Sequence, residues 1–284
     1  MFKLDNKTII LSGGNGFLWF HFTKHLLLNN CKIIIIDKNN LNKKLQNLKK
    51  KYDKKLFFYK IDISNFVILK KEISIIIKRF KKIDILINAA SLKLSFHHKN
   101  KLNFFERFEK YNFELWQQAF DVNLTGTMLL TQIVSKNMLK FKQGNIINIA
   151  SDVGVISPDH RIYEKNLTRK YRGVNFNTPA SYSISKSGII SLTKFLATYW
   201  AKKGIRVNAI SAGPIKTLAA SAIGDAKFLY KWNEDHSLLK RNVDINDVGG
   251  SALYLLSDLA GAVTGEIHYV DAGYNKVGMP NPKN

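Results

Sequence analysis

The sequence predicts an α/β protein with a single doubly wound sheet of seven parallel strands flanked by helices. Short apolar runs alternate along the chain with longer segments of helical periodicity. One run, "KIIIID" at 32–37, is apolar almost throughout, which is typical of a parallel strand buried on both faces. A glycine-rich turn also joins the first strand-like run to the first helix-like segment.

The elements follow in a regular order. Strands are predicted at 7–12, 32–37, 56–62, 83–90, 144–151, 205–211 and 265–273. Helices are predicted near 16–29, 64–79, 114–140, 180–203 and 245–257, and a basic amphipathic helix follows the second strand. Longer segments at 91–112, 152–179 and 212–240 are interpreted as substrate loops. We interpret residues 1–284 as one domain.

Composition narrows the choice of partners. The 284-residue chain is 45% hydrophobic and carries a net charge of +23, with its lysines scattered over several segments. A solvated basic surface is favoured over a nucleic-acid site, and we expect no nucleic-acid partner. No apolar run approaches the ~20 residues of a membrane span, so no membrane insertion is expected. The single cysteine, Cys31, and the absence of a signal-peptide pattern predict a cytoplasmic location.

The turn "SGGNGFLW" is a candidate phosphate-binding loop. Gly13 and Gly16 permit a tight turn at the start of a helix, where backbone N–H groups can meet a pyrophosphate. Asp37 ends the second strand, where a carboxylate can bind both ribose hydroxyls and repel a 2′-phosphate. We therefore predict NAD as the cofactor, with NADP less favoured because Lys38 is adjacent.

Trp19 departs from the pattern of this loop. The spacing of Gly13 and Gly16 calls for a third glycine at position 19, where the helix packs on the strand. An indole there predicts a displaced helix or weakened dinucleotide affinity, and its removal is expected to tighten NAD binding.

Tyr182 and Lys186 form a candidate acid–base pair. They are four residues apart on a predicted helix and therefore share one face. A nearby ammonium favours the phenolate, and lowering a phenol pKa from ~10 to ~7 takes about 4 kcal/mol. Lys186 together with a cationic nicotinamide is expected to lower the pKa of Tyr182 in this way.

Three further polar or small segments support that site. Ser151 ends the fifth strand, where its hydroxyl can bond a substrate oxygen. Asn123 lies within a long predicted helix and needs a buried partner, such as a backbone carbonyl or a water chain leading to Lys186. The segment "INAA" at 87–90 ends the fourth strand with small residues, which suits close passage of a nucleotide.

Taken together, these residues resemble the short-chain dehydrogenase/reductase family over nearly the whole chain. The resemblance implies a Rossmann-type fold and hydride transfer between a nicotinamide and a carbonyl or alcohol substrate. It implies Tyr182 as the acid–base, with Asn123, Ser151 and Lys186 as the other catalytic residues. The cofactor-binding residues that it implies are Gly13, Asn15, Gly16, Phe17, Asp37, Asp62, Ile63, Asn88, Ala89, Ala90, Lys186, Pro214, Ile215 and Thr217.

The serine and the tyrosine stand further apart than is usual in that family. A long loop, "SPDHRIYEKNLTRKYRG", fills the gap and resembles a subgroup of bacterial sugar- and flagellin-modification dehydrogenases. Its side chains are expected to line a polar or anionic substrate pocket: His160, Arg161, Tyr163 and Arg172.

From about Gly204 onward the chain instead resembles bacterial enoyl-[acyl-carrier-protein] reductase. That family places its tyrosine seven residues before the lysine, and the residue in that position here is Pro179. The prediction is therefore an NAD(P)-dependent carbonyl or alcohol oxidoreductase, with NADH-dependent enoyl-acyl-carrier reduction as the alternative. A nucleotide-binding protein without turnover is the alternative of another class.

The remaining predictions concern metals and partners. His97 and His98 are adjacent but lack a nearby cysteine or carboxylate cluster, so no metal site is expected. The substrate is expected to be a small molecule or one linked to an acyl carrier. By analogy with related enzymes, we expect a homodimer or homotetramer through apolar helix faces at 114–135 and 186–200.

Overall fold

The structure is a computed structural model that describes residues 4–92, 103–157, 159–163, 170–171, 174–175, 177–215 and 226–278. Its main sheet has seven strands, all paired in parallel, which confirms the predicted fold class. The strands are β1 (Thr8–Ser12), β2 (Lys32–Asp37), β3 (Leu56–Lys60), β4 (Ile85–Asn88), β5 (Gly144–Ile149), β8 (Ile205–Ala212) and β9 (Ile267–Val270). A separate antiparallel hairpin, which the sequence did not predict, consists of β6 (Lys170–Tyr171) and β7 (Val174–Asn175).

The strand order is β3-β2-β1-β4-β5-β8-β9. The chain therefore builds outward from β1 in one direction and, from β4 on, outward in the other. The loops after β1 and β4 diverge at this reversal and leave a crevice at the carboxyl ends of the strands, where ligands bind in sheets of this kind.

Eight α-helices are described in these ranges. They are α1 (Phe17–Leu28), α2 (Lys43–Lys51), α3 (Phe66–Phe80), α4 (Phe113–Phe120), α5 (Thr127–Phe141), α6 (Ala180–Trp200), α7 (Ala226–His236) and α8 (Ile245–Leu256). Two apolar clusters lie on opposite faces of the sheet: one includes residues of α1, α2 and α8, and the other includes residues of α3, α5 and α6. Helix α7 was not predicted from the sequence.

The long helix predicted near 114–140 is interrupted. Residues Asp121–Gly126 form a π-helical turn between α4 and α5. A Cβ atom at Gly126 would lie 2.8 Å from the carbonyl oxygens of both Asp121 and Ile63. Glycine therefore lets this turn pack directly on the backbone that follows β3, and the turn carries Asn123 toward the sheet edge.

Helix α1 begins differently from several others. Asn42, Asn65, Asn112 and Asp244 cap α2, α3, α4 and α8 with their side chains. Helix α1 begins at Gly16, which supplies no side-chain cap. Among these five helices, α1 is therefore the one whose first N–H groups need an acceptor other than an N-cap side chain.

Among the helices in the described ranges, none has the length and apolar character needed to cross a bilayer.

Candidate active site

A cleft of about 330 Å³ opens at the carboxyl ends of β1, β2 and β4. Gly13 and Gly16 both line it. Gly13 has φ +69°, and a Cβ atom there would lie 2.6 Å from Cα of Ala90, so only glycine allows β1 to turn this close to the end of β4. At Gly16 a Cβ atom would meet its nearest neighbour at 3.5 Å, so this residue leaves room for a ligand rather than for protein.

Asp37 lies on the wall of this cleft, as its position at the end of β2 predicted. Its carboxylate accepts hydrogen bonds from the backbone N–H groups of Asn15 (3.3 Å) and Asn39 (3.0 Å). The amide side chain of Asn15 bonds the backbone of Asn40 and Asn42 instead of entering the cleft. Asn15 therefore ties the glycine turn to the loop after β2 and holds the carboxylate of Asp37 in place.

The far end of the cleft is formed by the segment after β3. Asp62 and Ile63 line it, and the carboxylate of Asp62 is held by the N–H (2.9 Å) and hydroxyl (2.6 Å) of Ser64. Ala89 and Ala90 line the opposite side, and their N–H groups donate to the Ser12 hydroxyl at 3.1 and 3.3 Å. Ser12, which sequence analysis did not single out, thus fixes the end of β4 against the end of β1.

The side chain of Asn88 does not reach the cleft, contrary to its predicted cofactor role. It is 3% exposed, and its Nδ2 atom donates to Thr131 and to Asn148, both at 2.8 Å. Asn148 in turn donates to Thr193 at 2.9 Å. Because β4 and β5 run parallel with Asn88 opposite Asn148, the two amides lie side by side inside the protein.

Trp19 is accommodated within the core. Its indole is 5% exposed and packs edge-on against Phe22, with ring centroids 5.5 Å apart. The indole also forms part of the cleft wall but does not fill the cleft. Helix α1 therefore folds with tryptophan at this position, and the effect of the indole on affinity stays a prediction.

Ser151, Tyr182 and Lys186 come together as predicted. Ser151 follows β5, while Tyr182 and Lys186 lie on one face of α6. The Tyr182 phenol neighbours the Ser151 side chain, which acts on the pKa of the phenol. The Nζ atom of Lys186 lies 5.8 Å from the Tyr182 ring centroid.

The pKa of the Tyr182 phenol is raised, whereas a lowered value was expected. Burial is the main cause, and the nearby carboxylate of Asp152 adds to the rise. The hydrogen bond from Ser151 opposes these effects only in part. In the protein alone, Tyr182 is therefore the neutral acid at physiological pH.

Lys186 is 4% exposed, and burial lowers the pKa of its ammonium to about 8. Its Nζ atom donates to the backbone carbonyl oxygen of Ile149 at 2.7 Å. A Cβ atom on Gly154 would lie 2.8 Å from the carbonyl carbon of Lys186, so the segment after Ser151 packs directly against this turn of α6. The hydrogen bond to Ile149 and the packing against Gly154 therefore hold Lys186 next to the Tyr182 ring.

Asn123 is 2% exposed, and its amide connects two segments rather than contacting Lys186. Its Oδ1 atom accepts from the N–H of Leu92 (2.8 Å) and the hydroxyl of Ser91 (3.2 Å). Its Nδ2 atom donates to Ser185 on α6 at 2.9 Å. The side chain is therefore a satisfied core amide, and a water chain from it to Lys186 stays a prediction.

A second cavity of about 400 Å³ adjoins Ser151. It is lined by Asp152, Val153, Ile156, Ser157, Asp159, Tyr163, Pro214, Trp232, Asn233, His236, Tyr274, Val277 and Gly278. Trp232 and His236 stack with centroids 3.8 Å apart and give this cavity an aromatic wall. Tyr163 was predicted to line such a pocket, whereas Trp232 and His236 were missed because their helix, α7, was not predicted.

Two residues predicted to bind the cofactor lie elsewhere. Pro214 lines the second cavity rather than the cleft beside Asp37. The backbone of Ile215 forms a bridge with Val243, and its carbonyl oxygen accepts from the Tyr230 hydroxyl at 3.1 Å. Residues after β8 are therefore drawn toward α7 and the segment before α8.

Some predicted residues fall outside the described part of the chain. They are Thr217, Arg172, His97, His98 and the side chains of Phe17 and Arg161. His160, which is described, contacts Tyr163 edge-on at 5.8 Å and is not among the residues that line the second cavity. Within the described residues, no group of three or more His, Cys, Asp or Glu side chains is arranged to hold a metal ion.

The cleft fits a dinucleotide on three observations. Helix α1 lacks a side-chain cap where it faces the cleft, which suits a pyrophosphate. The Asp37 carboxylate stands where a ribose would present hydroxyls, and Ile61 and Ile63 offer an apolar surface for a flat base. The residues Gly13, Gly16, Asp37, Asp62, Ala89 and Ala90 would hold the group.

Sequence comparison gives two kinds of match. The family model described as enoyl-(acyl carrier protein) reductase matches residues 20–275. Enoyl-[acyl-carrier-protein] reductase [NADH] 1 of Rhizobium meliloti is 58% identical over 96 residues, which cover 34% of this chain and 35% of that protein. The corresponding FabI protein of Haemophilus influenzae is 46% identical over 116 residues, or 40% and 44% of the two chains. These matches span about a third to less than half of the relatives' length.

Solved structures match over nearly the whole chain. A short chain dehydrogenase from Leptospira borgpetersenii with bound NAD+ aligns with a TM-score of 0.78 at 28% identity, covering 96% of this chain and 94% of that one. A gluconate 5-dehydrogenase from Burkholderia cenocepacia, in complex with NADP and tartrate, shares the fold with a TM-score of 0.80 at 22% identity and 97% coverage of each chain. Since the family model spans residues 20–275, the chain belongs to the short-chain dehydrogenase/reductase family, within the group described as enoyl-(acyl carrier protein) reductase.

Proposed function

We propose that the protein is an NAD(H)-dependent oxidoreductase that interconverts an alcohol and a carbonyl compound. The observation that carries the proposal is the grouping of Ser151, Tyr182 and Lys186 at the end of β5, on the same edge of the parallel sheet as a cleft that fits a dinucleotide. A bound nicotinamide would supply or accept the hydride. Every other step belongs to side chains of this protein.

Tyr182 is proposed as the proton donor to the carbonyl oxygen. Because its pKa is raised, the phenol carries its proton at neutral pH and is ready for the reductive direction. Ser151 neighbours the phenol and would orient the same substrate oxygen. Lys186, with a pKa of about 8, is largely protonated at neutral pH and would stabilise the phenolate left after proton transfer.

Asn123 is proposed as a positioning residue. It binds the loop after β4 to α6 through Leu92 and Ser185. Ser185 also donates to the carbonyl oxygen of Tyr182 at 2.9 Å. Loss of this amide would therefore displace the turn of α6 that carries the phenol.

NAD is proposed over NADP. Asp37 lines the cleft with its carboxylate fixed by two backbone N–H groups, so it would repel a 2′-phosphate without being able to turn away. The NADH-dependent relatives and the NAD+ bound to the Leptospira dehydrogenase support this choice.

The direct test is a spectrophotometric assay of nicotinamide oxidation and reduction with panels of ketones, alcohols and enoyl thioesters. Turnover of carbonyl or alcohol substrates that is lost in Tyr182→Phe supports the proposal. Turnover of crotonyl thioesters alone would overturn it.

Enoyl-acyl-carrier reduction is the second candidate, favoured by the family model and by 58% identity to a relative of that name over 96 residues. Pro179 stands seven residues before Lys186, directly ahead of α6, and offers no phenol there. The net charge of +23 would attract an acidic carrier protein in either reaction. The third candidate is a protein that binds the dinucleotide without turnover. A melting temperature that neither NAD nor NADP changes would count against binding.

Assembly and location are also proposed rather than observed. Phe195 and Tyr199 on α6 are 63% and 58% exposed and stack on each other, and Phe113 at the start of α4 is 73% exposed. These apolar side chains suit a homodimer or homotetramer interface, which light scattering coupled to gel filtration would measure. A cytoplasmic location fits the single, buried thiol of Cys31.

A further inference from the structure

Asp152 is a carboxylate in the catalytic centre whose role the reaction does not explain. It directly follows Ser151, begins the short helical turn Asp152–Gly154 and lines the second cavity. The Ser151 hydroxyl and the Val153 N–H both donate to its Oδ1 atom, each at 2.8 Å. In the described ranges, no other residue donates to its Oδ2 atom.

The hydrogen bond that Ser151 donates shows how Ser151, Asp152 and Tyr182 are related. A serine hydroxyl has one proton, and here that proton goes to the Asp152 carboxylate. The Tyr182 phenol neighbours the same hydroxyl, so Asp152, Ser151 and Tyr182 stand together at one site. A substrate oxygen placed at Ser151 and Tyr182 therefore lies next to a negatively charged acceptor.

The cavity around Asp152 is acidic, although the protein as a whole is strongly basic. Asp159 lines the same cavity, and the buried Asp271 lies close enough to act on Asp152 through its charge. No lysine or arginine lines this cavity among the described residues. The side chains of Arg161 and Arg172 lie outside the described residues, and the side chains that line the cavity suit a ligand rich in hydrogen-bond donors.

The ionisation of Asp152 favours the same ligand. Burial raises the pKa of its carboxyl to about 6, and the charge of Asp271 adds to the rise, while the bonds from Ser151 and Val153 oppose it. The carboxylate is therefore ionised near pH 7.5 but incompletely solvated. Such a group gains from a donor supplied by a ligand.

We propose that Asp152 determines substrate specificity by accepting a hydrogen bond from a donor, hydroxyl or ammonium, on the carbon next to the reacting one. The Oγ atom of Ser151 lies 2.8 Å from the Oδ1 atom of Asp152, so the open Oδ2 atom of the same carboxylate is placed to meet a donor on the carbon next to one whose oxygen Ser151 binds. Vicinal diols, α-hydroxy ketones and their amino counterparts would satisfy both residues, and the rings of Trp232 and Tyr274 would cover the carbon skeleton. This inference rests on the proposed alcohol–carbonyl chemistry at the same site.

The test uses matched six-membered rings. Oxidation of cis-cyclohexane-1,2-diol, 2-aminocyclohexanol and cyclohexanol with NAD+ would be measured for the full chain and for Asp152→Asn and Asp152→Ala. We expect kcat/KM for the diol or the amino alcohol to exceed that for cyclohexanol by about 10-fold or more. Asp152→Ala should bring this ratio near one, and Asp152→Asn, which keeps a neutral acceptor, should give an intermediate ratio. The diol and amino alcohol arms separate a hydroxyl donor from an ammonium donor.

The control is Asp235→Asn, which removes a carboxylate that pairs with Lys231 on the exposed side of α7. It should leave the substrate ratio unchanged. A ratio near one in the unaltered protein, or the same ratio in Asp152→Ala, would overturn the proposal.

Calorimetry of the three ring compounds separates failure of this inference from failure of the proposed function. If no alcohol is oxidised, the alcohol–carbonyl function fails. Tighter binding of the diol or the amino alcohol that depends on Asp152 would still support the specificity role, whereas equal binding of all three compounds would refute it.

Discussion

The ammonium of Lys186 donates its 2.7 Å hydrogen bond to the carbonyl oxygen of Ile149, at the end of β5, rather than to the phenol of Tyr182. The ammonium is therefore bonded at the end of β5, and its Nζ atom lies 5.8 Å from the centroid of the Tyr182 ring. Lys186, with a pKa of about 8, also loses its charge before the phenol titrates, so proximity of the two side chains does not lower the pKa of Tyr182 in the protein alone.

The first prediction concerns the pH dependence of the reaction. Oxidation of an alcohol needs the phenolate, whose pKa is raised above its ordinary value. We expect kcat/KM for oxidation to rise with pH throughout the range 6–9, while reduction changes less over the same range because the phenol keeps its proton. A plateau of the oxidation rate near pH 7 would show that another group lowers the pKa of the phenol.

The second prediction is that Tyr182→Phe lowers kcat by about 10²- to 10⁴-fold, the usual contribution of a positioned acid–base group. Dissociation of NAD+, followed by nicotinamide or tryptophan fluorescence, should change little. Tyr199→Phe on the exposed side of the same helix is the matched control and should retain full activity. Equal loss in both variants would point to damage of α6 instead of lost chemistry.

The third prediction concerns the choice of dinucleotide. Asp37→Ala removes the carboxylate held by Asn15 and Asn39, and should weaken NAD+ binding by about 10- to 100-fold, as expected for hydrogen bonds to a charged group. Binding of NADP+ should weaken less or improve, because the repulsion of its 2′-phosphate is also removed. Calorimetry with both dinucleotides checks this, and Asp53→Ala on the exposed loop after α2 serves as the control. A uniform loss of both affinities would argue against a ribose-binding role.

The fourth prediction links Asp152 to stability. Its pKa of about 6 in the folded chain lies above its ordinary value, so keeping the carboxylate charged costs stability above about pH 6. This cost is lost as pH falls below about 4, where the group is protonated in both states. Asp152→Asn keeps an acceptor for Ser151 and Val153 and should raise Tm at pH 8 by about 2–6 °C, from about 1–2 kcal/mol.

Scanning calorimetry at pH 8 and pH 4.5 would measure this effect. The difference between Asp152→Asn and the unaltered protein should shrink at the lower pH. An unchanged or lowered Tm at pH 8 would show that the carboxylate is better solvated than its position indicates.

The fifth prediction concerns Trp19. Trp19→Ala removes a core indole and should destabilise the protein by about 3–5 kcal/mol. It should also tighten NAD+ binding, because the indole forms part of the cleft wall. Phe22→Ala is the matched control: it removes the ring that packs on the same indole but does not line the cleft, so it should cost similar stability without changing affinity.

Much of the fold was predictable because its strands are buried on both faces. The run Ile33–Ile36 is fully buried, and an uninterrupted apolar stretch of that length has few other interpretations. Helix α7 was not predictable in the same way. Its residues are mostly polar, and its position depends on distant contacts, such as the bond from Tyr230 to the carbonyl oxygen of Ile215.

The candidate site was likewise predictable only in part. The positions of Tyr182, Lys186 and Ser151 were predictable because helical spacing and a strand end fix them locally, and their catalytic roles stay predictions. Asn88 was assigned a cofactor-binding role and Asn123 a catalytic one because a polar residue near the crevice is ambiguous in sequence. Whether the Asn88 amide faces a cleft or another amide depends on strand register, which only the folded sheet determines.

The buried row of Thr131, Asn88, Asn148 and Thr193 runs across the sheet from α5 to α6. Apolar side chains at these positions would pack the two helices on the strands without directional bonds. The alignment of the helices with the strands would then be less constrained. Directional bonds remove that freedom. The catalytic residues on α6 are therefore held at a fixed position relative to β4, the strand beside the nucleotide cleft.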